Sequence, residues 1–413
     1  MTLTKKASAI VALGAAAVLM LSGCAAGAGT AGSTDGSGGG KEKIFLNLSY
    51  SGNNWQDEAA NLAMAVAQSP EVAEKYEVQK VISGSDVQKQ ISDMQSMIAG
   101  GAKLIVFYPI SPTALNPVIK QGCDAGVTFV AYDGTVTEPC AWNLTQLTAP
   151  EAGNPDKTYF GAQTAQALVD ELGGEGKIML NRGVAGTSTD TLNYDTAMSV
   201  FDANPGIEVL SEYYGNWDSS VSQQETSKAL TAHPDVDGIW SQAGEDGVIK
   251  ALEAAGMKIP VVGENSNYFR KVLSEGWPGT SSGSPPAQGG VGMKLGLKIL
   301  ADGPDSVPKN IEMPLPFVPA ADAKECPGNE FVDDCNFFAD ASDSFVTEIF
   351  QADLFPESSY TAATTDMAFD KLTPLPDLAE YEQPAERRIL TRGVCDSGWT
   401  ESTTDGLASC KKS

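Results

Sequence analysis

Apolar and polar residues follow two different periods along this chain, and the changes between them predict its strands and helices. The short β-rich run IFLNLSY at 44–50 predicts a buried strand, and YEVQKVI at 76–82 predicts the next strand. After the second run, apolar residues recur at helical spacing, at Val87, Ile91, Met94 and Ile98. Asp86 is placed to cap that helix and Gly100 to end it. The regular exchange of strand and helix predicts a doubly wound parallel α/β architecture.

The exchange of strand and helix occurs in two successive sets between residues 43 and 303. The first set predicts four strands, ending with VTFVAYD at 127–133, and the pattern restarts after TAPEAGNPDK at 148–157. The second set predicts four more strands, from KIMLN at 177–181 to IPVVG at 259–263. Two sets of this size predict two similar lobes rather than one large sheet.

The first 24 residues have the pattern of an export signal. Lys5 and Lys6 precede an apolar run too short to span a bilayer, which predicts a secretory signal over 1–23 rather than an anchoring helix. The closing Leu-Ser-Gly-Cys looks like the bacterial lipobox, in which the cysteine, here Cys24, is lipidated and becomes the new N-terminus. The alternative is an ordinary cleaved signal with a chance cysteine. Residues 24–42 are rich in Gly, Ala and Ser and predict a flexible tether.

Residues 314–413 differ in character from the two α/β sets. They contain PLPFVPAAD, four of the cysteines and a single helix-like run at 342–351. An irregular segment of this length would be unstable alone. We therefore predict an irregular, disulfide-containing C-terminal extension that packs on the lobes.

Charge narrows the range of partners. The chain has 27 Lys and Arg against 53 Asp and Glu, a net charge of −26, so its surface repels nucleic acid and anionic lipid headgroups. No second apolar run approaches the length of a membrane span. We expect an extracytoplasmic protein that contacts the cell membrane only through a lipid anchor.

The cysteines favour disulfides over a metal site. Besides Cys24 there are six, an even number for an exported chain. Their spacing suggests the pairs Cys123–Cys140, Cys326–Cys335 and Cys395–Cys410, one of fifteen possible connectivities. A zinc site would need CxxC spacing or clustered histidines, and the sequence has neither. The single histidine, His233, fits a surface turn.

Polar and aromatic residues follow several predicted strands, in the turns where ligands bind to open α/β sheets. Carboxylates and amides can hydrogen-bond to hydroxyls, and indole faces can stack on C–H groups, so this set suits a polyhydroxylated ring. The turns contain Asn53, Asn54, Trp55, Asp133, Ser188, Trp217, Asp218, Gln242 and Asn265. Taken singly, each can instead form a turn or cap a helix, Asn54 and Asp218 above all. Asp133 can likewise be a turn former and Trp55 a core residue.

No catalytic motif is visible. The GTS at 186–188 is not a G-x-S-x-G elbow, and the glycines at 289–296 do not fit G-x-G-x-x-G. The 53 acidic residues offer many carboxylate pairs for glycoside hydrolysis, but nothing marks out one pair. We expect a protein without enzymatic activity and without a cofactor, and a secreted glycan-acting enzyme is the weaker alternative.

From about residue 44 to 303 the chain resembles the type I periplasmic sugar-binding proteins, the ribose-binding-like receptors of ABC transporters. The resemblance is carried by SGNNW, by the run from IAGGAKLIVFYP to VTFVAYDG, and by GVAGTS, NWD, LTAHPDVDGIWSQ, ALEAAG and IPVVGENSN. It implies an N-terminal lobe of residues 43–147 and 285–313, a C-terminal lobe of 148–284, and a hinge between them. The extension at 314–413 has no counterpart in the compact family members.

The resemblance also implies roles for individual residues. Asp133 matches the acid that binds sugar hydroxyls in this family, and Trp55 matches the aromatic residue that stacks on the sugar. Trp217 and Gln242 fall at family contact positions, and Ser284 falls where a polar side chain often contacts the ligand.

Several departures from ribose receptors affect the expected ligand. Gly134 follows Asp133 where those receptors have an arginine, and Asp190 or Thr191 takes the place of another. Ala243-Gly244 replaces an Asn-Asp pair, and Asn265 replaces an aspartate. Because the two cationic donors are missing, we expect a roomier pocket and a neutral ligand.

These implications together predict the substrate-binding lipoprotein of an ABC importer, a monomer that captures a neutral sugar, polyol or sugar derivative between two closing lobes. Its expected partners are the small-molecule ligand and the ABC permease subunits. A sensory receptor that signals to a histidine kinase is the main alternative. A transcription regulator of the same fold is excluded by the export signal and by the lack of a basic N-terminal helix pair.

Overall fold

The computed structural model describes residues 40–49, 53–145, 160–264, 266–282, 286 and 288–312, together with the backbone of four further strands between 373 and 412. The strands are β1 (Glu42–Leu48), β2 (Tyr76–Ile82), β3 (Ala102–Phe107), β4 (Thr128–Tyr132), β5 (Trp142–Thr145), β6 (Gly176–Arg182), β7 (Ile207–Tyr214), β8 (Gly238–Ser241), β9 (Val261–Gly263), β10 (Gly279–Ser281), β11 (Asn310–Glu312), β12 (Thr373–Pro374), β13 (Glu386–Arg388), β14 (Trp399–Thr404) and β15 (Leu407–Lys412). The helices are α1 (Asn54–Ala67), α2 (Pro70–Lys75), α3 (Val87–Ala99), α4 (Asn116–Asp124), α5 (Phe160–Glu171), α6 (Ser188–Ala203), α7 (Ser219–Ala232), α8 (Glu245–Ala254), α9 (Asn267–Ser274) and α10 (Gln288–Asp302).

Two sheets organise the described residues into two lobes. The first lobe has a sheet of order β12-β11-β5-β4-β3-β1-β2, parallel except for the antiparallel pairing of β11 with β12, and it is covered by α1–α4 and α10. The second lobe has a fully parallel sheet of order β10-β9-β8-β6-β7, covered by α5–α9. The predicted fold class, α/β with doubly wound parallel sheets, is confirmed.

Each sheet has a hydrophobic cluster on both faces. Along β3, Leu104 and Val106 join one cluster while Ile105 and Phe107 join the other. The sheet of the second lobe is likewise covered on both sides. Parallel strands buried on both faces need continuous apolar sequence, which explains why these strands stand out along the chain.

The predicted helix after β2 begins and ends as expected, but its buried face is shifted. The side chain of Asp86 accepts hydrogen bonds from the backbone N–H groups of Gln88 and Lys89, at 2.8 and 3.1 Å. Gly100 is the C-terminal capping residue. The buried side chains are Gln90, Met94 and Met97, whereas Val87, Ile91 and Ile98 are only half-buried. Gln90 is buried because its amide bonds to Asn47, to the carbonyl of Tyr108 and to the N–H of Ile110.

Helix α10 is not predicted from the sequence, because its glycines have low helix propensity. The packing of the helix explains them. A Cβ at Gly289 would collide with the backbone of Ala59 in α1, and one at Gly296 would lie 2.6 Å from the side chain of Leu104 in β3. The glycines therefore let α10 approach both α1 and the sheet.

One predicted disulfide is present. Cys123 near the end of α4 is bonded to Cys140 in the loop before β5. The side chains of Cys326, Cys335, Cys395 and Cys410 lie outside the described residues, as do Cys24, the signal, most of the tether and the helix-like run at 342–351. Within the C-terminal extension, β13, β15 and β14 form a three-stranded antiparallel sheet, and β12 adds to the sheet of the first lobe. None of the described helices is both long and apolar enough to cross a membrane.

Candidate functional site

A cleft lies where the strand ends of the two lobes face each other. Its space, including the open mouth and the solvent there, is about 400 Å³. The first lobe contributes Asn53, Trp55, Gln56, Tyr108 and Asp133, and the second contributes Phe160, Thr189, Asn193, Trp217, Ala243 and Glu264. Most of these residues follow a strand directly or begin a helix, so the sheets fix their positions.

Asp133 is held at the end of β4 by both its backbone and its side chain. Its φ is 61°, its N–H donates to the carbonyl of Leu144 at 2.9 Å, and its carbonyl accepts from the Thr145 hydroxyl at 2.8 Å. Its carboxylate accepts from Gln288 Nε2 at 3.0 Å and from Thr189 Oγ1 at 3.3 Å. Burial raises the pKa of Asp133 to about 6, against the lowering effect of these two bonds. The group is therefore mainly ionised at pH 7 and can accept hydrogen bonds from hydroxyls.

Trp217 packs its indole against backbone in the second lobe. Its φ is 55°, and a Cβ on Gly183 would collide with the indole ring, so the close approach requires glycine there. Its Nε1 donates to Gln242 Oε1 at 3.2 Å, and its ring meets that of Tyr108 edge to face at 6.5 Å. Its carbonyl accepts from Asn53 Nδ2 at 3.2 Å across the cleft. The indole is thus positioned by both lobes.

A buried ion pair supports Trp217 from behind. Asp190 accepts from Arg182 Nη2 at 2.7 Å, from the N–H of Gly183 at 3.1 Å and from Gln242 Nε2 at 3.0 Å. Burial raises the pKa of Asp190, and Arg182 acts against that rise. The guanidinium of Arg182 also lies over the ring of Tyr194, 3.8 Å from its centroid. Arg182 is thereby engaged within the lobe and is not among the residues that line the cleft.

Two lining side chains have an amide oxygen with no hydrogen-bond partner among the described residues. Gln56 is 1% exposed and Asn193 is 3% exposed, and the unpartnered atoms are Oε1 and Oδ1. A buried acceptor without a partner costs about 1–3 kcal/mol. A ligand with donor groups at these points would remove that cost.

A second carboxyl group lines the cleft directly after β9. The pKa of Glu264 is raised well above its ordinary value by burial and by the carboxyl groups of Glu245 and Asp133. Glu245 is fully buried behind it and accepts from the N–H of Glu264 at 3.0 Å. Burial raises the pKa of Glu245 to about 7. Acidic groups from both lobes therefore converge on one cleft.

Four of the residues predicted from the sequence line the cleft, namely Asn53, Trp55, Asp133 and Trp217. Asn53 also caps α1, and Trp55 belongs at the same time to the core of the first lobe. Their ligand-binding roles stay predictions.

The remaining predicted residues lie behind the cleft or outside the described part of the chain. Ser188 Oγ accepts from the N–H of Thr135 at 2.9 Å, and Gln242 joins Trp217 to Asp190. Asp218 caps α7, as its alternative interpretation predicted, and His233 is the half-buried residue at the end of that helix. The side chain of Asn54 and all of Asn265 and Ser284 lie outside the described residues.

Several lining residues are not predicted from the sequence. Thr189 and Asn193 lie four residues apart on α6, and this spacing places them on one face of the helix. Glu264 belongs to the turn GENSN, one residue before Asn265, and Tyr108 directly follows β3. Phe160 opens α5 after the undescribed segment 146–159, and no sequence pattern marks it.

Comparisons with known proteins agree on one family. A family model described as periplasmic binding protein domain matches residues 44–304. A xylitol-binding protein of Mycolicibacterium smegmatis is 27% identical over 44% of this chain, an alignment that spans about half, 51%, of the relative. A D-ribose/D-allose-binding protein of Pseudomonas aeruginosa is 27% identical in an alignment that covers 57% of this chain and 76% of the relative. The crystal structure of an ABC transporter solute binding protein from Thermobispora bispora superposes on 68% of this chain and over 87% of its own chain. The TM-score is 0.61 and the sequence identity 24%, which supports the fold.

Proposed function

Because the chain belongs to the family of periplasmic binding protein domains, we propose that it is the substrate-binding lipoprotein of an ABC importer. Membership of that family places it outside the cytoplasm and makes it a binding protein. In this proposal it captures a neutral sugar, polyol or sugar derivative in the cleft between its lobes, and the loaded form is recognised by ABC permease subunits. The xylitol-binding and ribose/allose-binding relatives support a polyhydroxylated ligand.

The pairing of a buried carboxylate with aromatic faces is the observation that supports this function most directly. Asp133 can accept hydrogen bonds from ligand hydroxyls, and each bond to a charged group contributes about 1.5–3 kcal/mol. Trp55, Phe160 and Trp217 line the same cleft and offer apolar faces to the C–H side of a ring. A neutral ligand agrees with the lining, which includes no lysine or arginine among the described residues.

Contacts across the cleft suggest how the lobes close. Asn53 Nδ2 donates to the carbonyl of Trp217, and Tyr108 Oη donates to Thr189 Oγ1 at 3.2 Å. Thr189 in turn donates to Asp133. We propose that a hinge motion breaks these bonds in an open form and restores them around the ligand.

A thermal-shift screen of sugars and polyols tests the function. Ligands that bind only the folded state raise its melting temperature by mass action. We expect at least one compound to raise it, and the rise to be largely lost in Asp133→Asn. Asp93→Asn, which changes an acid on α3 outside the cleft, serves as the control and should keep the rise. A panel without any hit, or an unaffected Asp133→Asn variant, would contradict the proposal.

A further inference from the structure

Two buried amide side chains, one from each lobe, line the cleft. Gln56 belongs to the first lobe and is 1% exposed, and Asn193 belongs to the second and is 3% exposed. Among the described residues, neither Gln56 Oε1 nor Asn193 Oδ1 has a hydrogen-bond partner. Buried amides are normally paired, because an unpaired one has lost its bonds to water and gained none in return. Neither residue is one to which the resemblance to sugar receptors gives a role.

The side chain of Gln56 leaves a local role at the start of α1 unused. Asn53 caps this helix by accepting from the N–H of Gln56 at 2.8 Å. In a capping box, a glutamine at this position reaches back to the backbone N–H of the capping residue. Gln56 Oε1 makes no such bond, and the residue lines the cleft. The end of the helix therefore does not explain the glutamine.

The backbone of Asn193 is fixed by close packing between α5 and α6. A Cβ at Gly161 would collide with the carbonyl oxygen of Asn193, which also accepts from Thr196 Oγ1 at 3.2 Å. The side chain lies on the same helix face as Thr189, which lines the cleft as well. Asparagine has a lower helix propensity than leucine or alanine, so α6 gains no stability from it. A contact outside the helix would explain the residue.

A ligand hydroxyl suits both amides. It can donate to the amide oxygen or accept from the amide nitrogen, so it pairs with either orientation of the side chain. A C–H group at the same point leaves a buried amide unpaired, and a site built for a hydroxyl rejects such an analogue strongly. The two side chains therefore favour ligands with hydroxyls at both points over ligands that lack one.

We propose that Gln56 and Asn193 each bind one hydroxyl of the ligand, and that these contacts select a fully hydroxylated sugar or polyol against its deoxy analogues. The inference rests on the proposed function and deepens it by naming the substrate class and two further specificity-determining residues. Because the amides belong to different lobes, the two hydroxyls face different lobes. The bound ligand thereby links the lobes, and loss of either hydroxyl weakens binding in the closed form.

Calorimetry of two variants pairs each side chain with a hydroxyl. Gln56→Met and Asn193→Leu remove the amides with little change in size, and the probes are D-ribose, D-allose, xylitol and the monodeoxy derivatives of each. We expect both variants to bind the tightest parent about tenfold or more weakly than the wild type does. One deoxy derivative should lose its disadvantage against that parent in Gln56→Met, and a different one in Asn193→Leu. The matched control Gln88→Met, at an exposed position on α3, should leave every ratio unchanged.

Thermal unfolding without ligand separates a ligand contact from a structural role. Apolar side chains of similar size remove the cost of burying an amide, so neither Gln56→Met nor Asn193→Leu should lower the melting temperature. Unchanged deoxy ratios with a lower melting temperature would assign the amides to a bound water or to the protein itself. Unchanged ratios at an unchanged melting temperature would place the hydroxyl contacts elsewhere. Either result overturns the inference and leaves the sugar-receptor function standing, whereas a wild type that binds none of the probes counts against both.

Discussion

At Asp133, different parts of the molecule constrain the backbone and the carboxylate. The end of the sheet fixes a left-handed φ of 61°, and donors from α10 and α6 fix the side chain. An aspartate accepts such a φ more readily than most residues do. The two interpretations of Asp133, as a turn former and as a carboxylate of the binding site, are therefore compatible. The carboxylate is buried, aimed by its neighbours and available to a ligand.

Replacing Asp133 with asparagine keeps its shape and removes its charge. We expect Asp133→Asn to weaken binding of the cognate ligand at least tenfold, about 1.4 kcal/mol, because hydrogen bonds to a charged acceptor are lost. The melting temperature without ligand should not fall, since the buried charge is itself unfavourable. Calorimetry and thermal unfolding of the same preparation measure both quantities. Undiminished affinity would place the site elsewhere.

Trp55 belongs both to the core and to the cleft lining, the two alternatives that the sequence leaves open. It is 8% exposed, packs into the core of the first lobe and also lines the cleft. Trp55→Ala would therefore lower the free energy of unfolding by about 3–5 kcal/mol, the usual cost for a large buried aromatic residue. The same change would also lower the affinity for the ligand. Trp55→Phe retains much of the packing and is the better variant for testing a contact with ligand.

At the scale of elements, the sequence predicts several bounds correctly, even those of edge strands that have no buried residue. Strands 76–82 and 207–214 and helix 219–232 have the predicted bounds. Helix α10 was missed because its glycines serve packing against α1 and β3, a long-range requirement that local propensity does not contain. The lining of the cleft was predicted only in part, because some of its residues are positioned by long-range packing and not by local sequence. Turn residues are visible in sequence, whereas Gln56 and Asn193 enter it from helix faces whose orientation depends on the fold.

Two glycines on α10 give a matched test of this packing. Gly289→Ala should lower the melting temperature, because its Cβ would collide with the backbone of Ala59. Gly292→Ala should leave that temperature unchanged or raise it, because the nearest atom to its Cβ lies at 3.4 Å and alanine favours the helix by up to about 1 kcal/mol. Thermal unfolding compares the two variants. Equal effects would show that helix propensity, rather than the contact with α1, explains these positions.

At the scale of the whole molecule, the proposed lipid anchor concerns residues outside the described structure. The lipobox-like ending at Cys24 and the Gly-rich tether motivate it. We expect Cys24→Ser to move the protein from the membrane fraction to the soluble fraction of the cells or medium. Fractionation followed by intact-mass analysis of the wild-type N-terminus measures the change. A variant that stays in the membrane fraction would refute lipidation at this cysteine.

The buried carboxyl groups make the stability of the folded protein dependent on pH. Folding raises the pKa of Asp133 from 3.8 to about 6, so the folded form binds its proton more tightly than the unfolded chain does. The free energy of unfolding without ligand should therefore decrease as pH rises from about 4 to about 6, as far as this group contributes. Protonation removes the acceptor, so ligand affinity should change in the opposite direction.

We therefore expect the ligand-induced rise in melting temperature to be largest above pH 7 and to shrink steadily toward pH 5. Asp133→Asn should abolish most of this dependence on pH, while Asp93→Asn should retain it. Glu245, whose pKa is raised to about 7, contributes to stability in the same direction as Asp133 and forms no part of the cleft lining. The slope that the Asp133→Asn variant removes is thus the part that belongs to Asp133 itself, separate from any contribution of Glu264, which also lines the cleft and has a raised pKa. A ligand-induced rise that is constant from pH 5 to pH 8 would show that binding does not require an ionised Asp133.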